Sequence, residues 1–145
     1  MTPAIGQATI FLPVLAMVAL TAFAFLRLAI VRVRTARRRE VKLSYYRAFQ
    51  GPPEPEQAAA TARHYNNLFE APLLFYVGCV VAFELGTVTP LVLALAWGYV
   101  VARTIQSAIH LGSNDVRKRA YAFFAGWLFL AALWLRLAVS LFGQL

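Results

Sequence analysis

Two sets of polar residues interrupt otherwise apolar sequence at helical spacing. Arg63, Asn67 and Glu70 stand at i, i+4 and i+7, and Arg103, Gln106 and His110 stand at i, i+3 and i+7. Each set therefore shares one face of a helix. About seven residues at 1.5 Å each carry Glu70 roughly 10 Å along its axis from Arg63, and Arg103 as far back from His110. If the two helices run antiparallel, Glu70 and Arg103 reach the same depth. An ion pair between them is expected, because a lone charge at that depth in a membrane costs a few kcal/mol. A staple between helices needs only those two charges, with Asn67 and Gln106 as hydrogen-bonding partners across the interface. Here Arg63, His110, Asn114 and one of Arg117 or Arg119 are expected to converge on the same level, and that surplus points to a ligand.

The elements that must position these residues are membrane spans. The chain has 145 residues, of which 61% are hydrophobic and 14% charged, against about 25% charged in ordinary soluble domains. Its mean hydropathy is +0.64. Four apolar blocks are expected, from about Ile5 to Val31, from the region of Arg63 to Gly86, from Val88 to Leu111, and from Ala120 to Phe142. Each is long enough to cross a hydrocarbon core of about 30 Å. Short polar segments separate them, which leaves one domain, an all-α integral-membrane four-helix bundle. Pro13 is expected to kink the first span, and Arg27 to snorkel from within it. The longest connection, Glu40 to Thr61, holds Tyr45 and Tyr46 at an interfacial level and a Gly51-Pro52-Pro53-Glu54-Pro55 run that excludes a regular helix. Glu56 through Ala62 favour a helix that begins in the aqueous layer. Pro72 is expected to bend that helix just past Glu70 and open a polar pocket.

The net charge of +8 fits orientation in a bilayer better than nucleic-acid binding, because the basic residues cluster beside apolar segments without interleaved aromatics. Lys and Arg number eight from Arg32 through Arg63 and three from Arg117 through Arg119, with none in the connection around Glu84. The positive-inside rule then places both basic connections in the cytoplasm and both termini on the non-cytoplasmic side. Arg136, in the outer half of the last span, is expected to snorkel outward or to meet a partner chain. The first apolar run lacks the basic flank of a signal peptide and is read as a retained span. Cys79 stands alone in an apolar run, as a small buried hydrophobe. HExxH, Gly-rich phosphate loops and Ser-centred elbows are all missing, so zinc, nucleotide and triad chemistry lack support. Guanidinium forks bind carboxylates and Glu70 can receive an ammonium, a combination suited to a small anionic peptide. Glutathione has that mixture of charges, and an Arg beside its sulfur favours the thiolate, a ready nucleophile.

The RxxxNxxE arrangement of Arg63, Asn67 and Glu70, the Arg103 to His110 stripe, and Asn114 with Arg117-Lys118-Arg119 together resemble the MAPEG family, the membrane-associated proteins of eicosanoid and glutathione metabolism. The similarity covers essentially the whole chain and lies toward the family's uncharacterised bacterial branch. It implies a homotrimer in a bacterial inner membrane, with glutathione bound between protomers near the cytoplasmic face. Arg63, Asn67 and Glu70 would hold the peptide, Arg103 would belong to the polar core, and Arg32 would reach the glutathione of an adjacent protomer. The thiolate-activating Arg would start the fourth helix, and spacing from His110 permits Arg119 or Arg117, with Arg119 preferred. Where the leukotriene- and prostaglandin-forming synthases tend to place tyrosines against glutathione, this chain has Ala71, Gln106 and His110. The resemblance implies a transferase or peroxidase acting on lipophilic electrophiles that enter from the membrane lipids. The alternative is a non-catalytic family member that binds a lipid or partner. A small multidrug-type transporter is a weaker third reading, because its polar site would sit near the midplane.

Overall fold

The computed structural model describes residues 6–41, Tyr45 and residues 54–143. A short 3₁₀ turn, Gln7–Ile10, leads into α1, Phe11–Arg37, followed by α2, Glu56–Asn67, α3, Ala71–Glu84, α4, Pro90–Leu111, and α5, Val116–Phe142. The segments Gln7–Arg37, Glu56–Glu84, Pro90–Leu111 and Val116–Phe142 are long and apolar enough to cross a membrane. The chain is thus an all-helical, multi-pass integral membrane protein, as the four apolar blocks imply. Ile5, Tyr46 and residues 51–53 lie outside the described residues.

Each boundary has a local cause. Pro13 falls in the first turn of α1, where the missing N–H would have had no intrahelical acceptor, so it starts a helix where a kink was expected. Thr89 caps α4 by accepting from the Val92 amide at 3.3 Å, with Pro90 in the first turn. Asp115 caps α5, one carboxylate oxygen accepting from the amides of Arg117 at 3.0 Å and Lys118 at 3.1 Å. The Arg117-Lys118-Arg119 cluster is therefore the first turn of α5 and not part of the preceding connection, and the last span begins four residues before Ala120. At the opposite end of the bundle, Gln7 exchanges hydrogen bonds with the Val88 backbone, the shorter at 2.9 Å, and ties the N-terminal turn to the α3–α4 connection.

The closest helix pairing is α4 with α5. Gly98 on α4 meets Phe129 on α5 and Ala102 meets Gly126, and these small residues let the two backbones approach. A Cβ at Gly98 would lie 2.5 Å from the Phe129 ring. Below this seam, Met17, Phe75, Tyr99, Leu133 and Leu137 close the apolar core, with Phe75 stacked on Tyr99 at 4.7 Å between centroids. Leu26, Leu128 and Leu135 are among many large apolar side chains on the outer surface, where lipid replaces the covering that a soluble protein would need. α2 packs on α1 and α4 but hardly touches α5. That gap is where the polar residues gather.

Candidate functional site

The site begins with a break in the second span. Were the helix continuous, Pro72 would have no N–H for the Leu68 carbonyl and its ring would clash there. The chain instead leaves helical geometry at Leu68–Glu70 and resumes at Ala71, with Glu70 at φ −88°, ψ −93° and Pro72 in the tolerant first turn of α3. The break strands carbonyls at the end of α2. Tyr65 and Asn66 accept from the amides of Leu68 and Phe69 at 3.1 and 2.9 Å. The Asn67 carbonyl accepts from Arg103 Nη2 at 2.8 Å. A cation at a helix C-terminus answers both the open acceptor and the negative end of the helix dipole. Arg103 is accordingly 1% exposed, with its guanidinium carbon 5.9 Å from the centre of the Phe123 ring.

This corrects the expected Glu70–Arg103 ion pair. Among the described residues the ion pairs within 4 Å join Arg32 to Glu54 and Arg38 to Glu40, each at 3.9 Å. The 10 Å projection of Glu70 assumed a straight helix. The break ends the helix at Asn67, and Glu70 is left exposed. Arg27, expected to snorkel, instead donates from Nη2 to the Leu111 carbonyl at 3.2 Å, closing the end of α4 as Arg103 closes the end of α2. Arg136 donates to the Ser140 hydroxyl, one turn nearer the C-terminal end of α5.

Between α2 and α5, with α4 as its floor, lies a cavity of about 520 Å³. Arg63, Asn67, Glu70, Gln106, His110 and Arg119 all line it, and Phe123 and Phe124 form an apolar side. The two polar stripes and the start of α5 therefore meet as their spacing implies. Arg103 lies beneath the cavity and supports its wall. Arg117 is exposed and does not line it. Arg119 is held in place: its Nη1 donates to Asn114 Oδ1 at 2.8 Å and comes within 3.5 Å of His110 Nε2. Asn114 can do this because it occupies the left-handed region, φ 51°, which Asn tolerates. Its amide closes α4 on the Ile109 carbonyl at 2.8 Å. Arg32 lies apart, in a recess between α1 and α2 shared with Glu54 and Arg63. Ala71 is buried and does not border the cavity.

Two residues joined the site unannounced. Asn66 lines the cavity, and its place three residues after Arg63 and four before Glu70 puts it on the same helical face, a signal that was available. His64 is 1% exposed, its ring 5.1 Å from that of His110 and neither nitrogen in a hydrogen bond. Only the register of α2 against α4 brings the two rings together.

The fold and cavity define a four-span membrane bundle with a cation-rich, amide-lined polar site near one end. The MAPEG family model matches residues 10–139, and the chain belongs to that family. Members of the family generally use glutathione as substrate or cofactor. Among curated proteins and among solved structures, none matches.

Proposed function

We propose that the protein is a glutathione-dependent transferase or peroxidase acting on lipophilic electrophiles, with Arg119 stabilising the glutathione thiolate. The observation that carries this reading is the convergence of Arg63, Glu70, Gln106, His110 and Arg119 on one cavity of about 520 Å³, within the range of about 300–1,000 Å³ usual for small-molecule sites. A tripeptide with two carboxylates, one ammonium and a thiol matches that lining. Arg63 pairs with a carboxylate, Glu70 with the ammonium, and the amides of Asn67 and Gln106 with the peptide groups. Arg119, fixed by Asn114, is left to face the sulfur and favour its anionic form. The Phe123 and Phe124 side admits an apolar electrophile from the lipid. The basic ends of α1 and α5 favour a cytoplasmic location for this level of the bundle. The resemblance adds a homotrimer in which Arg32 of one protomer reaches the peptide held by the next, consistent with the separation of Arg32 from the cavity within one chain.

The test is thioether formation by purified protein with millimolar glutathione and a generic aryl halide. Turnover that is lost in Arg119→Ala and kept in Arg117→Ala is the expected result. No product above background refutes the enzyme reading. Calorimetric binding of glutathione without turnover transfers the site to the non-catalytic alternative.

A further inference from the structure

α1 and α4 touch along little of their length, and two further chambers occupy the cleft between them. One, of about 340 Å³, is lined by Leu20 and Phe23 of α1 and by Thr104, Ser107 and Ala108 of α4. Thr104 and Ser107 donate their hydroxyls to the Val100 and Arg103 carbonyls, each at 2.8 Å, so this chamber presents apolar surface. The other, of about 380 Å³, adds Glu56, Gln57 and Thr61 of α2 and Asn114. Arg27, Leu111 and Gly112 border both, so the two spaces adjoin at that level. Seven residues at about 1.5 Å each put Leu20 roughly 10 Å deeper in the hydrocarbon than Arg27. Glu56 lies on the other side of Arg27, in the exposed first turn of α2.

Arg27 stands at the junction with more donors than partners. Its Nη2 donates to the Leu111 carbonyl at 3.2 Å, and its Nε is buried without a hydrogen bond. Among the described residues no carboxylate lies within 4 Å of it. A guanidinium offers five N–H donors in a fork that fits a phosphate. Asn114, with Oδ1 on Arg119, keeps its Nδ2 hydrogens for a further acceptor. We propose that this cleft holds one phospholipid with a primary-amine headgroup, its phosphate on Arg27, its ammonium on Glu56 and one acyl chain in the chamber lined by Leu20 and Phe23. From the hydrocarbon outward the cleft runs apolar surface, cation, carboxylate, and such a lipid runs acyl chain, phosphate, ammonium. An anionic lipid without the amine meets the same Arg27 but is repelled by Glu56. A soluble anion has no use for the apolar chamber, which makes a bilayer lipid the occupant. None of Arg27, Glu56 and Ala108 borders the cavity between α2 and α5, so this lipid site is separable from the glutathione reading.

In the experiment, full-length protein in detergent micelles is titrated with dioleoyl phosphatidylethanolamine or dioleoyl phosphatidylglycerol, and bound lipid is followed by native mass spectrometry. One phosphatidylethanolamine per chain is expected, held about three- to fivefold more tightly than phosphatidylglycerol. Glu56→Gln should erase that preference without weakening phosphatidylglycerol. Ala108→Phe, which fills the apolar chamber, should weaken both lipids by at least about tenfold, and Arg27→Gln should do the same. Arg27→Gln also frees the Leu111 carbonyl, so Glu56→Gln and Ala108→Phe, both at exposed positions, decide the matter if that variant fails to fold. Arg136→Gln, near the C-terminal end of α5, should change nothing. Equal affinity for the two lipids in wild type, or a preference that survives Glu56→Gln, overturns the headgroup assignment. Wild-type phosphatidylethanolamine binding in Ala108→Phe overturns the site. Calorimetric binding of chain-free phosphoethanolamine as tight as that of the lipid overturns the lipid as occupant.

Discussion

Replacing Arg103 by Met separates two accounts of why a guanidinium is buried in this bundle. If Arg103 chiefly neutralises Glu70, removing either charge should be equally harmful. If it chiefly closes the end of α2, the loss belongs to Arg103 alone. The bond from Nη2 to the Asn67 carbonyl is 2.8 Å long, and hydrogen bonds to charged groups contribute about 1.5–3 kcal/mol. Met fills similar volume and removes the cost of burying a cation, which offsets part of the loss. We expect a net destabilisation of about 2 kcal/mol for Arg103→Met, or about 4–8 °C in Tm for a chain of this size. Glu70 is exposed and outside ion-pair distance, so Glu70→Gln should cost no more than about 0.5 kcal/mol. Reversible unfolding in mixed micelles of wild type, both single variants and the double variant completes a mutant cycle. A coupling energy below about 0.5 kcal/mol is expected, and one above about 1.5 kcal/mol refutes the capping account and restores the ion pair.

Three further outcomes can be checked with the same unfolding assay. Gly98→Ala should lose about 1–3 kcal/mol by forcing the Phe129 ring aside, whereas Gly126→Ala, whose Cβ would lie 3.6 Å from Arg103 Cδ, should stay within about 0.5 kcal/mol. Asp115→Ala and Thr89→Ala should each cost about 1 kcal/mol by freeing helix N-terminal amides. Only Asp115→Ala, beside Arg119, should also weaken glutathione binding by calorimetry. Cys79, buried against the core, should resist alkylation in folded protein and label in step with global unfolding. Rapid labelling before the main transition would show that the α3–α5 contact opens independently.

The four spans were legible because length and apolarity suffice to mark them, and lipid imposes both. Facing polar stripes were legible for a similar reason: i, i+3, i+4 and i+7 spacing fixes a face whatever the tertiary structure. Partner choice at one ångström was not. Pro72 announced a disturbance, but whether a proline bends a helix or ends it depends on what receives the stranded carbonyls. Here the receiver is Arg103, thirty-six residues further along the chain. Arg27 repeats the lesson at Leu111, eighty-four residues away. A sequence shows that such a cation is costly and therefore paired. It does not distinguish a carboxylate partner from a backbone one, because every residue carries a carbonyl and only a broken helix exposes it.

The break also explains why the polar site lies where it does. A carbonyl freed where α2 ends cannot be left to lipid, so the nearest donor on α4 must be polar. Arg103 is fixed beneath the break, and Glu70, past the end of α2, lines the space above it together with Asn66 and Asn67 of the last helical turn. The cavity is thus a consequence of closing a helix end in a membrane. Arg119, positioned independently by Asn114 at the α4–α5 turn, is the group that this closure does not require. A change at Arg119 should therefore alter chemistry with stability retained, whereas a change at Arg103 should alter both. Equal loss of stability in Arg119→Ala and Arg103→Met would mean that the two guanidiniums serve one structural purpose.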